Sequence, residues 1–296
     1  MIRATAFLAL LAATASAADL TGHVAGADDK PLRNAHVYVY TARPKQGVST
    51  VCPSCYRDCG KHEAVAASGD FRIAAVDPSL KYELLAVADG YDPSFTPYTS
   101  PDERVAITLN PRNVADEATL VRGRVVDHDG KAVVGARVEP QAVRLERGTG
   151  YGRIPGVDPL SITNAEGEFA LRIPAAAKWL DVRVRARNAG PKIERAVAPL
   201  HPRTITVDAG AGISGHLVRD GKPVAGVVLT IAPPPGPSGD YVGDERIATD
   251  DHGRFLMTGL ASNSKYRIIL PPATSLKTVD LGGAGSVTDA GTIELK

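Results

Sequence analysis

Cysteine, methionine and tryptophan are scarce in this chain of 296 residues, with three, two and one respectively. Aromatic residues of every kind make up 5%, and Trp179, Tyr151 and Tyr241 stand far apart, so composition signals no ring platform for a sugar. Net charge is missing too. Without Arg3, 33 basic residues face 33 acidic ones, which removes bulk attraction to nucleic acid or anionic lipid. No apolar run reaches the roughly 20 residues that span a bilayer, so no membrane insertion is expected. Helical periodicity is nearly absent, and the chain has no Gly-x-Ser-x-Gly elbow, His-Glu-x-x-His pair or phosphate-binding glycine loop. The seven histidines are scattered. No catalytic set emerges, and the chain reads as a non-enzyme.

What is present begins with Met1-Ile-Arg3, a short greasy run through Phe7, Leu8, Leu10 and Leu11, and Ala15-Ser16-Ala17. A charged start, an apolar core and small residues at the end are the pattern of a cleavable secretory signal. Residues 1–17 are expected to be removed, leaving a periplasmic or secreted chain from Ala18. No cysteine stands at the cleavage site to carry a lipid.

The remainder repeats itself. A glycine-led phrase runs from Gly22 to Val37, from Gly123 to Val138 and from Gly215 to Leu229. Each is followed by a phrase closed by phenylalanine, at Gly69-Asp-Phe71, Gly167-Glu-Phe169 and Gly253-Arg-Phe255. From Gly22 to Gly123 and from Gly123 to Gly215 the intervals are 101 and 92 residues, too long for a solenoid unit and right for one small domain each. The boundaries expected are 18–112, 113–209 and 210–296.

Runs such as His36–Tyr40, Tyr82–Val87, Leu180–Arg185 and Tyr266–Leu270 are short and rich in β-branched or aromatic residues, as strands are. Gly130, Gly221, Gly167 and Gly253 fall where tight turns need positive φ, which predicts antiparallel strands joined to their neighbours. Alternation points Val24, Val125 and Leu217 inward and His23, Arg124 and His216 outward. Closing strands are expected at 105–109, 204–207 and 292–295. The fold class is therefore all-β, three tandem Greek-key or meander sandwiches.

Gly-x-Val-x-Asp-x-x-Gly-Lys-x-Val-x-Gly-Ala-x-Val, followed by Thr-Asn/Asp-x-x-Gly-x-Phe, resembles the carboxypeptidase regulatory-like domain, a transthyretin-like β-sandwich of exported bacterial proteins. All three copies match, the second and third best. The resemblance implies a spacer, stalk, sugar-binding module or transporter accessory, and no peptidase activity. A binding or scaffold role with a protein or polysaccharide partner in the cell envelope is what it leads us to expect.

One loop stands out chemically. Cys52, Cys55 and Cys59, all the cysteines of the protein, lie within eight residues, and His62 follows. In an oxidising compartment the reading is a disulfide between two of them with one thiol left over. The alternative is a tetrahedral site for zinc formed by Cys52, Cys55, Cys59 and His62. A third is thiol-redox work by Cys52 and Cys55, without the βαβ setting such motifs have. Tyr56, Arg57 and Lys61 flank the loop, and Arg43, Lys45, Arg57 and Lys61 against Asp58 would favour a thiolate or an anion. In the second repeat, Arg183, Arg185 and Arg187 alternate with apolar residues, predicting three guanidinium groups along an outer strand face where an anionic polymer would lie.

Overall fold

The computed structural model describes residues 18–49, 56–112, 117–151, 154–233, 245–271 and 273–296. The chain divides into two compact units. Unit 1 comprises Met1–Ala88 and Ser94–Pro111, and unit 2 Asp89–Pro93 and Arg112–Lys296.

Each of the three repeats contributes two sheets. In the first sheet a lead strand lies in the middle: Ala18–Gly26, Leu120–Val126 or Ala211–Arg219. On one side it pairs antiparallel with the phenylalanine strand, Asp70–Val76, Glu168–Arg172 or Arg254–Leu260. On the other side runs the closing strand, Arg104–Leu109, Arg203–Thr206 or Val287–Glu294, and it runs parallel to the lead strand. The glycine turns predicted antiparallel neighbours, and the closing strand adds one parallel pair to each of these sheets. The chain comes back from the second sheet before forming the last strand, so it arrives in the same direction as the first.

The second sheet is built on an antiparallel central pair, His36–Pro44 with Leu80–Val87, Arg137–Leu145 with Ala177–Arg185, and Val228–Ala232 with Lys265–Leu270. Its outermost strands are His62–Ala64 and Ser94–Phe95 in the first repeat and Glu245–Ala248 and Thr274–Asp280 in the third. In the second, Thr149–Gly150, Ser161–Ile162 and Lys192–Val197 take those places.

Between the two sheets lies the core. Val24, Val125 and Leu217 are fully buried as alternation predicts. One apolar cluster joins Val125, Phe169, Leu180 and Ile205 in the second repeat, and a separate one joins Leu217, Phe255, Ile268 and Ile293 in the third. His23 and His216 are half-exposed and Arg124 is exposed. The Arg124 Nε donates to the Glu166 carbonyl at 2.7 Å.

Both ends of the repeated phrase now have a physical reason. Gly22, Gly123 and Gly215 are each in register with Phe71, Phe169 and Phe255 across the antiparallel pair. A Cβ at these positions would lie 2.4, 2.6 and 2.6 Å from the phenylalanine ring. At Gly22 and Gly123 it would also meet a closing-strand carbonyl, that of Val105 or Arg203, at 2.3 and 2.6 Å. Glycine is thus required for close approach rather than for a turn. The turn glycine before each phenylalanine is different: Gly69, Gly167 and Gly253 have φ of 86°, 78° and 71°, a conformation that costs other residues energy.

The motif threonine is also accounted for. Thr163 is 3% exposed. Its hydroxyl accepts from the Ala136 N–H at 2.8 Å and donates to the Val133 carbonyl at 2.6 Å. Thr249 does the same for Val227 and Val224 at 3.0 and 2.7 Å. One side chain thereby pairs with two backbone groups, one donor and one acceptor.

Candidate functional site

In unit 1 the chain leaves the strand His36–Pro44, passes through the cysteine segment and returns at His62–Ala64. Cys52 and Cys55 lie outside the described residues. The described end of the loop is a turn sewn onto that strand. Tyr56 O accepts from Cys59 N at 3.0 Å, Val39 O from Gly60 N at 2.8 Å, and Lys61 O from Val39 N at 2.8 Å.

Beneath the turn lies Asp58, only 2% exposed. Its Oδ2 accepts from the Asp77 N–H at 2.8 Å and from the Tyr82 hydroxyl at 2.9 Å. Its Oδ1 is 2.7 Å from Lys61 Nζ, which also donates to the Ala75 carbonyl at 2.7 Å. A buried carboxylate with this many partners is satisfied, and it fixes the turn it sits in. Burial, then the Asp58 charge, pushes the Tyr82 phenol well above its ordinary value, so it stays a donor.

The other expected residues are placed around this base. Cys59 is half-buried and Arg57 exposed. The Tyr56 hydroxyl lies 2.6 Å from Ser49 Oγ. His62 is exposed and stacks on Tyr38 with ring centroids 4.9 Å apart at 22°. Its Nδ1 donates to the Gly60 carbonyl at 3.2 Å, so Nε2 is the ring nitrogen a metal would take. Burial, then the nearby His62, lowers the pKa of His36 on the same sheet. Among the described residues no three His, Cys, Asp or Glu side chains converge on one point.

The expected surplus of positive charge is largely engaged. Lys61 is tied to Asp58, Lys45 pairs with Asp102 at 2.8 Å, and the Arg43 guanidinium stacks 4.2 Å from the centroid of Tyr98. The loop was expected to have Asp58 alone as counter-charge, and Asp102, distant in sequence, is the second.

The arginine stripe of unit 2 is corrected in the same way. Arg183 pairs with Glu139 at 3.0 Å, and Arg185 with Glu245. Arg187 lies past the end of its strand and is exposed. Arg137 joins Glu139 from their shared strand, and across the pair Arg183 is in register with Glu139 and Arg185 with Arg137. The cluster therefore holds three guanidinium groups and two carboxylates. Burial raises Glu139, but Arg137, Arg183 and Arg185 outweigh it and hold the carboxyl at about 2. For Glu245 burial prevails over Arg185 and raises the pKa. Sequence reading missed Arg137 and Glu139, although Arg137-Val-Glu139 carries the period-2 alternation that puts both on one strand face.

A groove of about 300 Å³ lies elsewhere in unit 1, with Phe95, Pro97 and Tyr98 on one wall and Glu103, Ala106 and Thr108 on the other. Tyr40 meets Phe95 edge to face at 4.8 Å. Aromatic residues scattered in the sequence are thus gathered beside a concavity.

No protein family matches this chain, and no curated protein does. Among solved structures it aligns with the Bacillus anthracis TIE protein at 12% identity and a TM-score of 0.23, covering 95% of this chain and 51% of that one. The chain therefore spans about half the length of that protein. The Streptococcal ancillary pilin aligns at 13% identity and a TM-score of 0.24, with 94% and 99% covered. GBS52, the minor pilin of Streptococcus agalactiae, aligns at 12% and 0.27, with 59% and 96% covered. Superpositions of this quality carry no inference about function, and the reading below rests on the chain itself.

Proposed function

We propose that this chain is an exported, non-catalytic scaffold of tandem carboxypeptidase regulatory-like sandwiches, with domains 18–112, 113–209 and 210–296. Binding surfaces belong to the first, and the second and third act together as a stiff support. The observation that carries this reading is the charge cluster of unit 2. Arg137, Glu139, Arg183 and Arg185 come from the second repeat and Glu245 from the third, so one half-buried network spans both. Backbone approach reinforces it: Gly210 N donates to Asn188 O at 2.8 Å, and a Cβ on Gly190 would lie 3.3 Å from the Ala261 Cα. Groups that would otherwise face a ligand are engaged in holding the repeats together.

Hydrogen exchange in rising denaturant tests this. In the full-length protein, amides of Ala177–Arg185 and Val228–Ala232 should lose protection in one cooperative step. Two separated steps would show that the repeats are independent beads.

For the cysteine loop we propose a disulfide between two of Cys52, Cys55 and Cys59, resting on the anchored turn of Asp58. Native mass of the exported protein before and after alkylation should show one reactive thiol and no metal. A zinc adduct lost in Cys59→Ala would instead establish the site formed with His62.

A further inference from the structure

The first sandwich leaves one seam open. One wall is the closing strand Arg104–Leu109, which pairs along one edge with the lead strand and, among the described residues, with no strand along the other. The opposite wall is the segment 94–99. It hangs on Leu80–Val87 through the pair Phe95 with Leu85, the Thr96 N–H to the Leu84 carbonyl at 2.9 Å, and a bridge between Thr99 and Tyr82. The 300 Å³ groove runs between these walls.

The direction of the free backbone groups follows from Gly22. A Cβ there would sit 2.3 Å from the Val105 oxygen, so that carbonyl points at the lead strand. In a trans peptide the next N–H points the opposite way, and in an extended strand a residue turns its N–H and C=O to the same edge. Ala106 and, two residues on, Thr108 therefore present both groups to the groove. The facing wall offers no competing main-chain donor at three positions. Pro97 has no N–H, and those of Thr96 and Thr99 already donate to Leu84 and Tyr82.

The third repeat shows how such an edge is otherwise capped. There Lys277 reaches from Thr274–Asp280 and donates its Nζ to the Ala290 carbonyl on the closing strand. In the first repeat the segment from Ser94 to Thr99 has no cationic side chain, and Phe95 and Tyr98 stand there instead.

We propose that this groove takes an extended segment of a partner polypeptide. It adds as a strand to Arg104–Leu109, exchanges main-chain hydrogen bonds with Ala106 and Thr108, and sets every second side chain against Phe95 and Tyr98. A saccharide fits less well, because the two threonine hydroxyls of the aromatic wall are already engaged. Thr96 Oγ1 accepts from Leu84 N at 2.9 Å, and Thr99 Oγ1 donates to Glu103 at 3.1 Å. Arg43, stacked on Tyr98, favours an acidic residue at that end of the peptide. This deepens the reading of the chain as a binding scaffold, and its test is independent of the unit 2 cluster.

The probe is a phage-displayed library of random dodecapeptides panned on the full-length protein, with enriched sequences resynthesised for fluorescence anisotropy. Enriched peptides should carry apolar residues at alternate positions. Ala106→Pro, which removes a groove-facing N–H, should weaken them by roughly tenfold or more, and Tyr98→Ala by about tenfold. Ala106→Val keeps the amide and should bind as the wild type does. If circular dichroism shows Ala106→Pro unfolded, N-methylating alternate peptide amides gives the same readout, with one phase abolishing binding and the other sparing it. An empty selection overturns the proposal, as does binding indifferent to Tyr98 and to methylation phase. An array glycan retained by the wild type and lost in Tyr98→Ala, with no peptide enriched, would replace it with a saccharide subsite.

Discussion

Gly123→Ala is expected to destabilise the second sandwich by roughly 2–4 kcal/mol, although it adds one methyl group. That methyl would sit 2.6 Å from the Arg203 carbonyl and 2.6 Å from the Phe169 ring. Neither neighbour can yield easily. Arg203 belongs to a backbone paired with the lead strand in parallel register, and Phe169 is 4% exposed within the core. Moving the ring gives up part of the roughly 1.5–3 kcal/mol that its burial contributes. Urea unfolding of the full-length protein followed by exchange at Leu120–Val126 would give the value. A loss under 1 kcal/mol would mean that the strands part without cost and that the glycine is incidental. Gly123→Ala combined with Phe169→Leu should recover only part of the loss, because the carbonyl contact remains. Gly22→Ala should behave alike in the first sandwich, where the Val105 carbonyl would be 2.3 Å away.

Glu139→Gln should cost about 3–5 kcal/mol near neutral pH, because it leaves Arg137, Arg183 and Arg185 facing each other with Glu245 as the remaining carboxylate. The pH profile separates this from a packing defect. In the folded state the Glu139 carboxyl is held at about 2, below its ordinary value near 4.3. Its contribution is therefore fully present above that ordinary value and disappears as pH falls through about 2, an effect on the order of 3 kcal/mol. Stability measured by chemical denaturation should show the wild type losing its advantage over Glu139→Gln between about pH 5 and pH 2. An advantage that stays constant across this window would show that the carboxylate is not the source. Salt should change the difference less than it would for fully exposed pairs, since the five side chains are half-buried.

Of the candidate site, residue types were readable and surroundings were not. Asp58 stood in the cysteine loop as a single acidic residue, and only the fold reveals that it is buried under Tyr82 and Asp77. Arg183 and Arg185 have the spacing of a solvated stripe. Their partners Glu139 and Glu245 lie on strands whose register a single sequence does not state. Tyr40, Phe95 and Tyr98 come together because a bulge between Val39 and Thr41 and the pairing of Phe95 with Leu85 bring them together.

By itself the sequence determined the three repeats, the all-β class, the inward set Val24, Val125 and Leu217, and the positive-φ turns at Gly130, Gly167, Gly221 and Gly253. These are local properties, set by side-chain alternation and by which residues tolerate a left-handed backbone. Tertiary structure alone decided that the closing strand runs parallel to the lead strand, that glycine meets phenylalanine across the pair, that five charged side chains gather in unit 2, and that the Arg104–Leu109 edge is left open. Each of these depends on which distant strands become neighbours and in what register. That choice is made by the packing of two sheets over one core, where a shift of one residue would turn every buried side chain outward.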